Sequence, residues 1–181
     1  MKKQAHLVNI CNQTQQATVD QDRLRQGILL VLQEHGIKQA IIGLAIVTDP
    51  TIHKMNRQYL DHDDTTDVLS FPLSSDTDDV LEGEIAISFD TAKHRAEEYC
   101  WDTEDELLLY AIHGTLHLVG FSDQSAEERD EMRCHERAIL AKMNVVYPED
   151  STLVARNRAL NVTAKSDCPT PPCADPPDPL R

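Results

Sequence analysis

The chain has 181 residues, 31 Asp plus Glu against 17 Lys plus Arg, and a formal net charge of -14, which suits one domain with a real core and argues against non-specific binding to nucleic acid. It is 40% hydrophobic and 27% charged, the balance of a folded chain, with no uninterrupted apolar run near the roughly 18 residues of a membrane helix and none of the kind that marks a signal peptide. Five scattered cysteines (Cys11, Cys100, Cys134, Cys168 and Cys173) do not suit a secreted disulfide framework, and aromatics at 4% disfavour surfaces built on stacking platforms, so a cytoplasmic, acidic protein is expected.

In chain order, residues 5–11 (AHLVNIC) suggest a short strand. Asp20 is placed to cap a helix running to about His35, with Leu24, Ile28 and Leu32 as its apolar stripe and Gly36 as its stop. The run at 40–47 (AIIGLAIV) is apolar and β-rich, long enough for a central strand. Asp49-Pro50 opens a helix to about Leu60, since Pro fits a first turn. Residues 67–73 and 84–88 read as two more strands split by a polar loop. Asp90 is expected to cap a helix to about Cys100, and Thr103 with Glu106 a capping box for the next, which ends at Gly120. Ser125 with Glu128 repeats the device for a last helix through Met143. The expected fold is α+β, a small mixed sheet of about four strands packed with helices. Composition changes near Pro148: six of the nine prolines lie between Pro169 and Pro179. The expected division is therefore a domain over 1–147 and a disordered Pro-rich tail over 148–181.

The segment that carries chemistry is residues 111–123, AIHGTLHLVGFSD. His113 and His117 are four apart in a helix, so both imidazoles project from one face. Gly120 then permits a backbone turn that is cheap only for glycine and can swing Asp123 back towards them. Two nitrogens and one carboxylate supply three ligands and leave a fourth tetrahedral position open, the arrangement of catalytic rather than structural zinc. Leu116, Leu118 and Val119 are expected to wall the site. Two unconnected core histidines are the bland alternative for an i,i+4 pair; the glycine break and the carboxylate favour the metal. A zinc peptidase usually has Glu directly after the first His as its base; here that position is Gly114.

With HGTLHLVGFSD at 113–123, MNRQYLDHDDTTDVLSFP at 55–72 and EGEIAIS at 82–88, the chain resembles the YbeY family of bacterial endoribonucleases over roughly residues 5–145. The resemblance implies an α+β metallohydrolase domain with one zinc ion per chain, held here by His113, His117 and Asp123. It further implies cleavage of single-stranded ribosomal RNA, with the small ribosomal subunit and its proteins as partners and neither DNA nor a membrane as a target. His113 would be catalytic as well as a ligand. Two positions depart from the family pattern. Asp123 stands where the third ligand is usually histidine, a substitution zinc tolerates. Leu60 stands where the family usually has an arginine thought to hold phosphate, and Arg57, one turn earlier, is the candidate replacement.

The general base stays open: zinc-activated water or the RNA 2′-hydroxyl would each serve. So does the class of function, since a non-catalytic ribosome-assembly factor fits the acidity and a zinc peptidase fits the ligand triad. Asp67 and Ser70 are candidates for fixing the loop before the third strand, which by itself reads as a solvated acidic turn. His135 and His62 are assigned to the surface and the acidic loop, Trp101 to core packing, and Cys100 and Cys134 to buried or half-buried helix positions.

Overall fold

The structure is a computed structural model that describes residues 5–14, 18–60, 66–75 and 79–147. The Pro-rich stretch from 148 onward, and His62 with most of the acidic turn, lie outside the described residues. The elements follow the expected order: β1 (Ala5–Asn12), α1 (Gln21–Glu34), β2 (Gln39–Val47), α2 (Asp49–Leu60), β3 (Val68–Pro72), β4 (Leu81–Ser88), α3 (Phe89–Glu98), α4 (Thr103–Leu118) and α5 (Ala126–Lys142). The four strands form one mixed sheet in the order β1-β2-β4-β3. β1, β2 and β4 run parallel, and β3 pairs antiparallel with β4 along one edge, Val68 opposite Ile87.

Strand alternation divides the sheet into two faces. Ile42, Leu44 and Ile46 of β2 join Ile85 and Ile87 of β4 in the main core with α1 and α4. Val47, Leu69 and Ala86 face the other way and pack with Ile52 of α2 in a smaller cluster. Each such Val, Leu or Ile side chain, buried at 4% exposure or less, contributes about 1.5–3 kcal/mol. α4 is the central helix, and from Leu107 to Leu116 every side chain on it is buried. It lies close on the sheet because of Gly114. A Cβ there would sit 2.7 Å from the Ile85 Cγ2 and 3.1 Å from the Ser70 Oγ.

The helix starts hold two corrections. Ser88, not Asp90, caps α3, its Oγ accepting from the Thr91 N–H. Asp90 lies in the first turn and accepts from the Asp49 N–H at 2.9 Å, while Ser88 and Thr91 hydroxyls donate to the Asp49 carboxylate. The starts of α2 and α3 are thereby tied together. Asp102, not Thr103, caps α4 through the Glu104 N–H. Glu106 does not turn back to complete a box; its side chain is buried against Tyr110. The Ser125–Glu128 capping box at α5 is present in both directions. Cys100 and Cys134, expected at buried or half-buried positions, are exposed, as is Cys11. Trp101 is partly buried against the main core.

Candidate metal centre

His113 lies in the last full turns of α4 and His117 one turn on. Their rings meet edge to face with centroids 4.5 Å apart, and the two Nε2 atoms are 2.9 Å apart. α4 closes at Val119, and Gly120 adopts φ +104, a conformation open to glycine at little cost. The chain turns there, and Phe121 N–H donates back to the Leu116 carbonyl. Asp123 follows, with its Oδ2 3.9 Å from His113 Nε2 and 3.7 Å from His117 Nε2. Arg129 of α5 fixes this turn by donating to the carbonyls of Asp123 and Gln124. The three predicted ligands therefore converge, with one ligand atom of each within 4.8 Å of the others.

Each histidine has its other nitrogen engaged. His113 Nδ1 donates to Glu136 Oε1 at 2.7 Å, and His117 Nδ1 donates to the Phe121 carbonyl at 3.0 Å. Both Nε2 atoms are thus the ones turned towards Asp123. Backing of a ligating imidazole by a carboxylate or carbonyl is the pattern that fixes tautomer and ring orientation in metal sites. The donor set fits a divalent transition ion: two imidazoles and a carboxylate within reach of one point, half-enclosed.

Electrostatics separates the two histidines. Burial alone would lower His113, but the hydrogen bond and charge of Glu136, with Asp67 and Asp123 beyond it, outweigh burial and raise it above the ordinary imidazole range. His117 is lowered, first by burial and then by the charge on His113.

Glu136 was not singled out in the sequence. It has no exposed surface, and its second oxygen lies 3.5 Å from the Tyr147 hydroxyl. The available signal was position: Met132, Glu136, Ile139 and Leu140 share the buried stripe of α5, where a carboxylate needs a partner. Ser70 donates to the Gly114 carbonyl at 3.1 Å and so joins β3 to α4 beside His113. Asp67 is buried and caps the start of β3 through the Val68 N–H; burial raises its carboxyl to about 6. Leu116 and Leu118 are buried and Val119 partly so, as the apolar wall requires. Arg57 is exposed on α2, and no described contact joins it to the trio. His135 is not a plain surface residue: it is half-buried and packs with His35 and Phe121, with ring centroids 5.1 and 4.4 Å away. A separate cleft of about 420 Å³ between α2, α3 and the start of β3 is lined by side chains of mixed sign, among them Asp49, Asp67, Arg95 and Glu98, and excludes the trio.

The family model described as Endoribonuclease YbeY matches residues 9–144. A Chloroherpeton thalassium protein named Endoribonuclease YbeY is 39% identical over 134 residues, 74% of this chain and 94% of that protein. One of the same name from Carboxydothermus hydrogenoformans is 34% identical over 142 residues, 77% of this chain and 99% of its own length. A third, from Rhodopirellula baltica, is 40% identical over 127 residues, covering 69% of this chain and 65% of that longer protein. A solution structure of a Thermotoga maritima protein shares the fold, with TM-score 0.54 and 24% identity over 76% of this chain and 92% of that one.

Proposed function

Because the chain belongs to the endoribonuclease YbeY family, we propose that it is a zinc-dependent endoribonuclease. In this reading it cleaves single-stranded RNA in the maturation of small-subunit ribosomal RNA, and in ribosome quality control, in the cytoplasm. It works with the small ribosomal subunit and its proteins, not with DNA or a membrane. The convergence of His113 Nε2, His117 Nε2 and Asp123 Oδ2 carries this reading.

One zinc ion per chain would be held by those three atoms, and when bound it supplies Lewis-acid polarisation of a phosphoryl oxygen and makes water more acidic. The chain's own residues set the stage. Glu136 holds His113 in the tautomer that frees Nε2, and the Phe121 carbonyl does the same for His117. Asp123 brings negative charge, which lowers the net charge of the site relative to three histidines. Leu116 and Leu118 exclude water from behind the ligands. Phosphate contact falls to a basic side chain outside the trio, and Arg57 is the one assigned here.

The test is zinc content and single-stranded RNA cleavage on the same preparations of wild type, His117→Ala and Asp123→Ala. About one zinc per chain, lost together with cleavage in either variant, is the expected result. Zinc without cleavage in wild type would favour an assembly factor instead, the reading to which the charge of -14 lends support. Arg57→Ala should weaken cleavage while zinc stays bound.

A further inference from the structure

In a chain of net charge -14, phosphate neutralisation, the term that usually dominates RNA affinity, is weakened even with Arg57 in place. Stacking on an aromatic side chain is the charge-independent alternative, since every unpaired base offers a π-face. All eight aromatic side chains lie among the described residues, and Tyr59 alone of them is exposed, at 62%. A lone exposed tyrosine needs no explanation, but this one is held in place. Its ring sits edge-on against Phe71 of β3, with centroids 5.6 Å apart at 66°. Leu73, also 62% exposed, follows Phe71 by two residues.

β3 carries this apolar ledge on one face and bonds the helix of the metal centre from the other. Among the described residues β3 is an edge of the sheet, paired to β4 alone. Phe71 faces the α2 side, whereas its neighbour Ser70 faces α4 and donates to the carbonyl of Gly114, the residue after His113. A single strand laid over this edge would run from Tyr59 towards the helix that carries His113.

We infer that Tyr59, backed by Phe71, is a stacking platform for one unpaired base of single-stranded RNA bound across the β3 edge towards His113, His117 and Asp123. The inference rests on the RNA substrate proposed above. It gives a physical reason for single-strand preference, because bases in a duplex are already stacked on one another. It also predicts RNA affinity with a shallow dependence on salt.

The experiment is a set of binding titrations with single-stranded oligoribonucleotides, run with chelator so that no strand is cut. Each oligonucleotide carries one abasic residue, moved along the strand. For wild type, one or two abasic positions should weaken binding by about 5- to 100-fold. In Tyr59→Ala the intact strand should bind with that weaker affinity, and the abasic residue should cost nothing further, the coupling expected of two groups in contact. Tyr59→Trp should bind as wild type does. Unchanged melting temperatures would confirm that the variants are folded. Equal binding by wild type and Tyr59→Ala, equal abasic penalties in both, or no binding by wild type would each overturn the platform. So would a shift from dimer to monomer in Tyr59→Ala with RNA binding unaltered, which would assign the ledge to a second copy of the chain. The nuclease reading is judged separately, by cleavage in zinc-loaded wild type: cleavage without Tyr59 coupling removes only the platform, and coupling without cleavage removes only the nuclease.

Discussion

Replacing Glu136 by Gln isolates what a buried carboxylate does for the metal site. Its Oε1 lies 2.7 Å from His113 Nδ1, the length of a charge-assisted bond, and the side chains are 0% and 5% exposed. Gln keeps the volume, and its carbonyl still accepts the Nδ1 proton, so tautomer and packing survive while the charge is lost. Removal of such a supporting partner costs 10- to 100-fold in metal affinity, or about 1.4–2.8 kcal/mol. The expected outcome is a zinc dissociation constant raised by about tenfold or more, read by competition with a chromophoric chelator, beside an unchanged circular dichroism spectrum. Glu136→Ala should differ in kind. It leaves a buried imidazole N–H with no acceptor and opens space in α5, so a stability loss of about 3–5 kcal/mol is expected. Zinc binding by Glu136→Gln within twofold of wild type would refute the supporting role, and a folded, fully stable Glu136→Ala would refute the burial argument.

Glu106 gives a pH signature. It is 1% exposed and lies against Tyr110, and burial raises its carboxyl from 4.5 to about 7. A raised carboxyl pKa means that the folded state holds the proton more tightly, so stability falls as pH rises from about 4.5 to 7. Glu106→Gln should therefore be more stable than wild type at pH 8 by up to about 3 kcal/mol in chemical denaturation, and show little gain at pH 4.5. Gly114→Ala should destabilise by about 1–3 kcal/mol in chemical denaturation, because its Cβ would sit 2.7 Å from Ile85 Cγ2. Zinc affinity should fall as pH drops, and begin to fall above the ordinary histidine range, because Glu136 favours the protonated form of His113 and the metal competes with the proton on Nε2. Asp123→Asn, which keeps the shape and removes the charge, should weaken zinc binding without changing the melting temperature of chelator-treated protein.

Element order and the ligand trio were legible because both are local. Leu24, Ile28 and Leu32 recur at helical spacing, β2 alternates as a strand, and His113, His117 and Asp123 lie within eleven residues joined by one helix and one glycine turn. Non-local features were not legible. The strand order β1-β2-β4-β3 depends on which edges pair after the chain has crossed over. The α3 cap moved from Asp90 to Ser88 because the Asp90 carboxylate is taken by the Asp49 N–H, 41 residues away. The α4 cap moved to Asp102 because Glu106 faces the core, where it cannot reach back to the helix start. Glu136 was hidden among charged neighbours, although its place on the same stripe as Met132 and Ile139 marked it as buried.

The close seat of α4 on the sheet also bears on what this scaffold can become. Position 114 points at Ile85, Ser70 and Val68, not into the open side of the ligand trio. A glutamate placed there, as zinc peptidases have it, would have to displace a core methyl group before its carboxylate could approach the metal. The barrier to that chemistry is steric and is built into the helix–sheet contact itself. A designer seeking a peptidase from this fold would have to bring the base in from β3 or the turn before α5, and leave the helix glycine alone.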